Sequence, residues 1–82
     1  MEYEEIKDHL IELRKIQKHK KERINIALKR DGAGDSIAEW NYIESKNYAD
    51  RLESLLEIPE KNWTDEMFLD IYKAKIYLKN HN

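Results

Sequence analysis

The chain has 82 residues, 39% of them charged, and a formal net charge of −2 at pH 7. A chain of this length predicts one domain, 1–82, with a small core, and its two glycines and one proline favour helices over a sheet. The sequence contains no cysteine, which excludes disulfides, thiolate metal sites and cysteine nucleophiles.

The amino-terminal segment MEYEEIKDHL is acidic and periodic, whereas a signal peptide has a basic start followed by an apolar run. No run approaches the roughly 18 apolar residues that a transmembrane helix needs. We therefore expect a soluble, cytoplasmic protein with no membrane partner. Its frequent Lys, Ile, Asn, Glu and Tyr suit an AT-rich bacterial or phage genome.

A long first helix is predicted at about residues 3–30, because apolar or seam positions recur with heptad spacing and no Gly or Pro interrupts them. These positions are Ile6, Leu10, Leu13, Gln17, Lys20, Ile24 and Ala27. At a rise of about 1.5 Å per residue, the helix would be roughly 40 Å long.

A second helix is predicted at about residues 37–57. The segment DGAGDS ends the first helix, since Gly32 or Gly34 can adopt the left-handed conformation of a helix C-terminus. Ser36 and Glu39 have the spacing of a capping box at the start of the second helix. Pro59 marks its end.

A third helix is predicted at about residues 65–79, with Thr64 as its N-cap and with Trp63 and Phe68 at the positions of a hydrophobic staple. One stripe of this helix is apolar: Met67, Ile71, Ala74 and Leu78. Three further apolar residues lie off that stripe and suggest self-association: Leu69, Ile76 and Tyr77. The predicted fold is an all-α three-helix bundle, a long antiparallel hairpin with a shorter third helix packed back on it.

In such a hairpin, residues of the first two helices whose numbers add to about 66 face each other. Gln17 and Lys20 then interrupt the apolar seam at the level where the second helix is also polar. The second helix offers Glu44, Ser45, Asn47 and Tyr48 at that level. We therefore predict a polar layer across the hairpin.

Residues 14–30 contain eight lysines and arginines and one glutamate. Part of this segment forms a stripe on one flank of the helix: Arg14, Lys18, Lys21, Asn25 and Lys29. We interpret the stripe as a solvated face, with an acidic protein or a nucleic acid as alternative partners. Against nucleic acid, no aromatic residue interleaves the stripe, and residues 31–82 carry eleven acids against six bases.

The sequence contains no recognisable catalytic, metal-binding or phosphate-binding motif. His9 and Glu12 have helical spacing, but the order His-x-x-Glu reverses the Glu-x-x-His of di-iron bundles, and no second helix repeats it. The glycines of GAGDS lack the preceding strand of a phosphate-binding loop. We predict no catalytic residues, no metal and no cofactor, and hence no enzyme.

The third helix, at roughly 22 Å, is too short to cover the whole hairpin. It leaves a group of aromatic, aliphatic and basic residues around the hairpin tip as candidates for binding a protein. These are Ile26, Lys29, Arg30, Ile37, Trp40, Tyr42 and Ile43. The competing interpretation is that the third helix or a second copy covers them.

The sequence therefore suggests a small regulator or inhibitor that binds another protein stoichiometrically, of the kind that phages and mobile elements encode. One alternative is a nucleic-acid-binding regulator that uses four residues of the basic stripe: Arg14, Lys18, Lys21 and Lys29. The other alternative is a structural homodimer or assembly subunit.

Overall fold

A computed structural model of the chain describes residues 2–32 and 36–81, within which it contains three α-helices and no strand. The helices are α1 (Glu2–Asp31), α2 (Ser36–Leu55) and α3 (Asp65–His81), with a 3₁₀ turn (Glu60–Asn62) before α3. Most interhelical contacts join α1 and α2, and α3 contacts both. The predicted fold, a helical hairpin with a shorter third helix packed back on it, is confirmed.

Gly32 closes α1 as predicted. Its φ is +66°, in the left-handed region that favours glycine, and its N–H donates to the carbonyl oxygen of Leu28 at 3.1 Å. The other glycine of this segment, Gly34, lies outside the described residues.

The connection between α2 and α3 is held by Trp63, which is buried. Its indole N–H donates to the carbonyl oxygen of Ile58 at 3.0 Å, and the hydroxyl of Tyr3 donates to the same oxygen. The Met67 N–H donates to Oγ1 of Thr64 at 3.4 Å, and the Trp63 and Phe68 rings meet edge-on with centroids 5.6 Å apart. The predicted N-cap and hydrophobic staple of α3 are therefore confirmed.

The core lies at the end of the hairpin where α3 packs, here called the proximal end. Its fully buried side chains come from all three helices: Ile6, Leu13, Ala49, Leu52 and Ala74. Toward the distal end, from Arg14 to Arg30, α1 has no fully buried side chain, and its seam positions are only half-buried. Three helices therefore pack together at the proximal end, and only α1 and α2 pack together at the distal end.

The register of the hairpin is fixed by contacts that cross it. The Arg14 guanidinium donates to Asp50 at 3.0 Å and also to Glu53, and Nζ of Lys21 lies 5.9 Å from the centre of the Tyr42 ring. These pairs have numbers that add to about 66, as the sequence predicts.

The predicted polar layer is present in part. Gln17 and Lys20 are half-buried, and Ser45 is fully buried, with its hydroxyl donating to the carbonyl oxygen of Tyr42 at 3.1 Å. Glu44 and Tyr48 are half-buried, whereas Asn47 is exposed and does not belong to the layer.

The expectation that Tyr77 is available for self-association is wrong. Its ring packs against that of Tyr48 with centroids 5.2 Å apart, and its hydroxyl donates to the carbonyl oxygen of Asn41 at 3.3 Å. Because α3 packs against both helices of the hairpin, Tyr77 is buried in addition to the predicted stripe residues Ile71, Ala74 and Leu78. Leu69 and Ile76 are exposed, as expected.

Candidate functional site

The third helix stops short of the hairpin's distal end. The α3 helix has 17 residues and α1 has 30, so α3 is roughly 25 Å long and α1 roughly 45 Å. The contact between Tyr77 and Asn41 lies in the last turns of α3, and α2 continues distally from Asn41 to Ser36. A stretch of both hairpin helices therefore has no third helix over it.

The face of α1 that contacts α3 continues into this uncovered stretch. At the proximal end, Glu5 lies 3.7 Å from Nζ of Lys75, and His9 and Glu12 line one groove with residues of α3. Heptad spacing continues this face through the half-buried Ile16 to four distal residues. They are His19, Arg23, Ile26 and Arg30.

The face of α2 that contacts α3 continues in the same way. Arg51 lies 3.4 Å from Asp70, Tyr48 packs on Tyr77, and Glu44 lines a groove with Tyr77. The same helical spacing leads to two apolar residues beyond the end of α3, Trp40 and Ile37.

Because both faces contact α3 at the proximal end, helical spacing places their continuations on the same side of the hairpin, and we name this surface the distal shelf. It consists of His19, Arg23, Ile26 and Arg30 on α1 and of Ile37 and Trp40 on α2. Ile37 is 74% exposed, Trp40 63% and Ile26 53%. Trp and Arg are among the residue types that dominate the energetics of protein interfaces.

The structure separates the seven predicted protein-binding candidates. Four of them, Ile26, Arg30, Ile37 and Trp40, belong to the distal shelf. The other three lie elsewhere: Tyr42 is half-buried on the opposite side of the hairpin, against Lys21, and Lys29 is on the back of α1. Ile43 is exposed on the outer surface of α2, where it lines a shallow groove with Trp40 and Tyr48.

Sequence reasoning missed His19 and Arg23 as members of this surface. Both residues continue the heptad spacing of Glu5, His9 and Glu12. The sequence alone does not show that this row of α1 is the one that contacts α3.

The basic stripe lies on the side of the hairpin away from α3, and Arg14 is not one of its free cations. Burial alone lowers the pKa of Arg14, but its hydrogen bonds with Asp50 and Glu53 and their negative charges raise the pKa above its ordinary value. Hydrogen bonds from Lys46 and then Arg14 hold the pKa of Asp50 below its usual range. Lys18, Lys21 and Lys29 are exposed. The stripe is therefore partly an ion-pair bridge between α1 and α2.

The side chains of His9 and Glu12 lie on the side of α1 that faces α3. Their order in the sequence argued against a metal site. They line an open groove of about 580 Å³ with Tyr72, Lys75 and Lys79. Within residues 2–32 and 36–81, no group of three or more His, Cys, Asp or Glu side chains is placed to hold a metal ion. His9 is half-buried.

Comparison with protein-family models, with curated proteins and with solved structures found no match to this chain. Among the described residues, no helix combines the length and the apolar character needed to cross a membrane.

Proposed function

We propose that this protein is a small, non-enzymatic helical module that binds another protein in a one-to-one complex through the distal shelf, and so regulates or inhibits it. One observation carries the proposal. The hairpin face that α3 covers at the proximal end continues past α3, and there it exposes Ile37 and Trp40.

Burial of these side chains would contribute to the free energy of binding. Covering a Val, Leu, Ile or Phe side chain completely stabilises a complex by about 1.5–3 kcal/mol, and the shelf has two isoleucines and a tryptophan that are each more than half exposed. Polar and basic residues border these side chains on α1, which matches the polar rim of a protein interface.

The test begins with affinity capture from native lysate, with and without nuclease, and continues with the purified partner. We expect a protein that is retained in both conditions and that titrates one-to-one by calorimetry. Trp40→Ala should raise Kd about tenfold or more, because truncated interface tryptophans cost about 2 kcal/mol.

Ile11→Ala is the matched control. The exposed fraction of Ile11, 54%, is similar to that of Ile26, but Ile11 lies at the proximal end of α1. It should leave Kd unchanged. Retention that disappears with nuclease would contradict the proposal, as would an unchanged Kd for a Trp40→Ala variant whose circular dichroism matches that of the wild type.

The outer face of α3 favours a second candidate function, self-association. Leu69, Tyr72 and Ile76 have the spacing of one helix face and are all exposed. If this face forms a homodimer, light scattering at high micromolar concentration gives twice the chain mass, and Tyr72→Glu restores the monomer. A monomer mass for the wild type would exclude it.

A further inference from the structure

We infer that the protein forms a two-fold dimer in which the exposed faces of two α3 helices pack against each other in antiparallel orientation. This inference rests on the second candidate function, self-association, and adds the orientation, the register and the ion pairs of the dimer. It follows from a row of exposed residues whose two halves are complementary to each other in charge and in apolar character.

One row of α3 has the spacing of a helix–helix contact and is not used within the chain. Its residues follow one another in alternating steps of four and three, as in the contact row of a coiled coil, and all of them are exposed. They are Asp65, Leu69, Tyr72, Ile76 and Lys79. Within residues 2–32 and 36–81, neither Asp65 nor Lys79 has an ion-pair partner. We name these five residues the α3 seam.

A two-fold axis at Tyr72 makes the α3 seam complementary to a second copy of itself. In antiparallel helices related by such an axis, facing residues have numbers with a constant sum, here about 144. Tyr72 then faces Tyr72, and Leu69 faces Ile76, so the middle of the contact is apolar. Asp65 faces Lys79 at both ends, which gives two ion pairs between the copies.

Parallel packing of the same two seams is disfavoured by charge. It would place Asp65 against Asp65 at one end and Lys79 against Lys79 at the other. Like charges that face each other repel, whereas the antiparallel arrangement replaces both repulsions with attractions. The charges of the α3 seam therefore select the antiparallel orientation.

The size of the α3 seam indicates a weak dimer. From Asp65 to Lys79 the seam is roughly 21 Å long, about four turns, and it is one helix wide. Each copy contributes three apolar side chains with exposed fractions between 42% and 60%. The two copies of Lys73 flank the axis and repel each other. The contact is smaller than the roughly 1,200 Å² of a standard interface, so we expect the dimer to form in the micromolar range.

The antiparallel arrangement directs the distal ends of the two hairpins in opposite directions. The α3 helix begins at the proximal end, after Trp63, and the hydroxyl of its Tyr77 donates to Asn41 toward the distal end. Reversing α3 in the second copy therefore reverses the whole hairpin. Trp40 lies beyond the end of α3 and stays uncovered in both copies, so the dimer holds two partner molecules, one per chain.

Charge reversal at the ends of the α3 seam tests the orientation, with the dimer Kd of the full chain measured by sedimentation equilibrium. Asp65→Lys should raise the dimer Kd about tenfold at low ionic strength, because both ion pairs become pairs of lysines. The double variant Asp65→Lys/Lys79→Asp exchanges the charges and should restore the wild-type Kd. This variant is the matched control, since it opposes the helix dipole at both ends of α3 and still regains the ion pairs.

Cysteine cross-linking tests the register without relying on charge, because the chain has no cysteine of its own. Asp65→Cys and Lys79→Cys are treated with a mild oxidant, separately and as an equal mixture, at a concentration where the wild type is dimeric. The antiparallel register predicts a disulfide-linked dimer mainly in the mixture. Faster cross-linking of each variant with itself would show a parallel dimer and overturn the inference.

The outcomes separate this inference from the functions on which it builds. A wild-type chain that stays monomeric at high micromolar concentration would overturn self-association and the antiparallel register together. A dimer whose Kd is unchanged by Asp65→Lys would overturn the register alone. The calorimetric Kd for the captured partner depends on Trp40 and not on the α3 seam, so a failure there is distinguishable as a failure of the proposed function.

Discussion

Tyr77 shows how one side chain positions the end of α3. Its ring lies between Tyr48 and His81, with centroids 5.2 Å and 4.6 Å away, and its hydroxyl donates to a backbone oxygen of α2. Burial raises the pKa of Tyr77 to about 12, and the negative charge of Glu44 acts in the same direction. A hydrogen bond with Ser45 opposes this shift.

Tyr77→Phe should therefore change stability at neutral pH and also its dependence on alkaline pH. At pH 7 the lost hydroxyl bond should cost about 1 kcal/mol of unfolding free energy. An unfolded tyrosine ionises near pH 10, whereas folded Tyr77 keeps its proton to about pH 12. The stability that this shift contributes is present below about pH 10 and is lost as the pH rises toward 12.

Urea denaturation at several pH values checks this prediction. The wild type should lose stability more steeply than Tyr77→Phe in the alkaline range, since Tyr77 is the only titratable group in which the two proteins differ. Parallel curves for the two proteins would show that the Tyr77 hydroxyl is not buried in the folded state.

Arg14 joins two acidic residues of α2 and so contributes to acid sensitivity. The pKa of Asp50 is lowered in the folded state, so its contribution to stability is present above the unfolded value of about 3.9 and is lost as the pH falls through the folded value. Arg14→Met should raise the pKa of Asp50 and flatten the decline in stability below about pH 4.

Lys46→Met offers a comparison, because Lys46 is the larger cause of the Asp50 shift. Titration of the Asp50 carboxyl carbon by NMR should give a higher pKa in both variants, with the larger change for Lys46→Met. An Asp50 pKa unchanged by Arg14→Met would mean that the contact across the hairpin is not maintained in solution.

At the scale of the elements, Ser45 sets how α2 packs in the hairpin. It is fully buried, although its neighbours in the polar layer are half-buried, and its hydroxyl donates to the carbonyl oxygen of Tyr42 and also hydrogen-bonds with Tyr77. A small side chain is needed at this buried position, because α1 packs against α2 and the Tyr77 side chain of α3 lies next to Ser45.

Two substitutions separate the size of Ser45 from its polarity. Ser45→Ala should change the unfolding free energy by about 1 kcal/mol, because it keeps the size and removes only the hydrogen bonds of the hydroxyl. Ser45→Leu should cost about 1–3 kcal/mol by overpacking. Urea midpoints from circular dichroism measure both, and a more stable leucine variant would show that the layer contains unfilled space.

At the scale of the whole molecule, local signals in the sequence predicted the elements well. Heptad spacing, Gly32 and the Thr64 cap correctly predicted the positions of the three helices. The length of α3 alone predicted that it covers only part of the hairpin. The positions of individual tip residues did not follow. Tyr42 and Trp40 are two residues apart in a helix, so they face opposite sides of the hairpin. Which of these two sides α3 covers at the proximal end could not be predicted from the spacing alone.

The two-layered distal end predicts a gradient of stability along α1. Its proximal part contains the fully buried Ile6 and Leu13, whereas from Gln17 to Arg30 every side chain is half-buried or exposed. Few buried apolar contacts mean a low free energy of local opening. Amide hydrogen exchange followed by NMR should therefore be faster by at least about tenfold in the distal half of α1 than around Leu13.

The same measurement connects this gradient to binding. An occupant of the distal shelf buries Ile26 and Trp40, so it should slow exchange in the distal halves of α1 and α2 and leave the proximal end unchanged. The captured partner supplies the occupant for this experiment, and the Trp40→Ala variant mixed with the same partner supplies the control. Uniform protection along α1 without any partner would contradict the gradient, because it would mean that the two-helix end is as stable as the core.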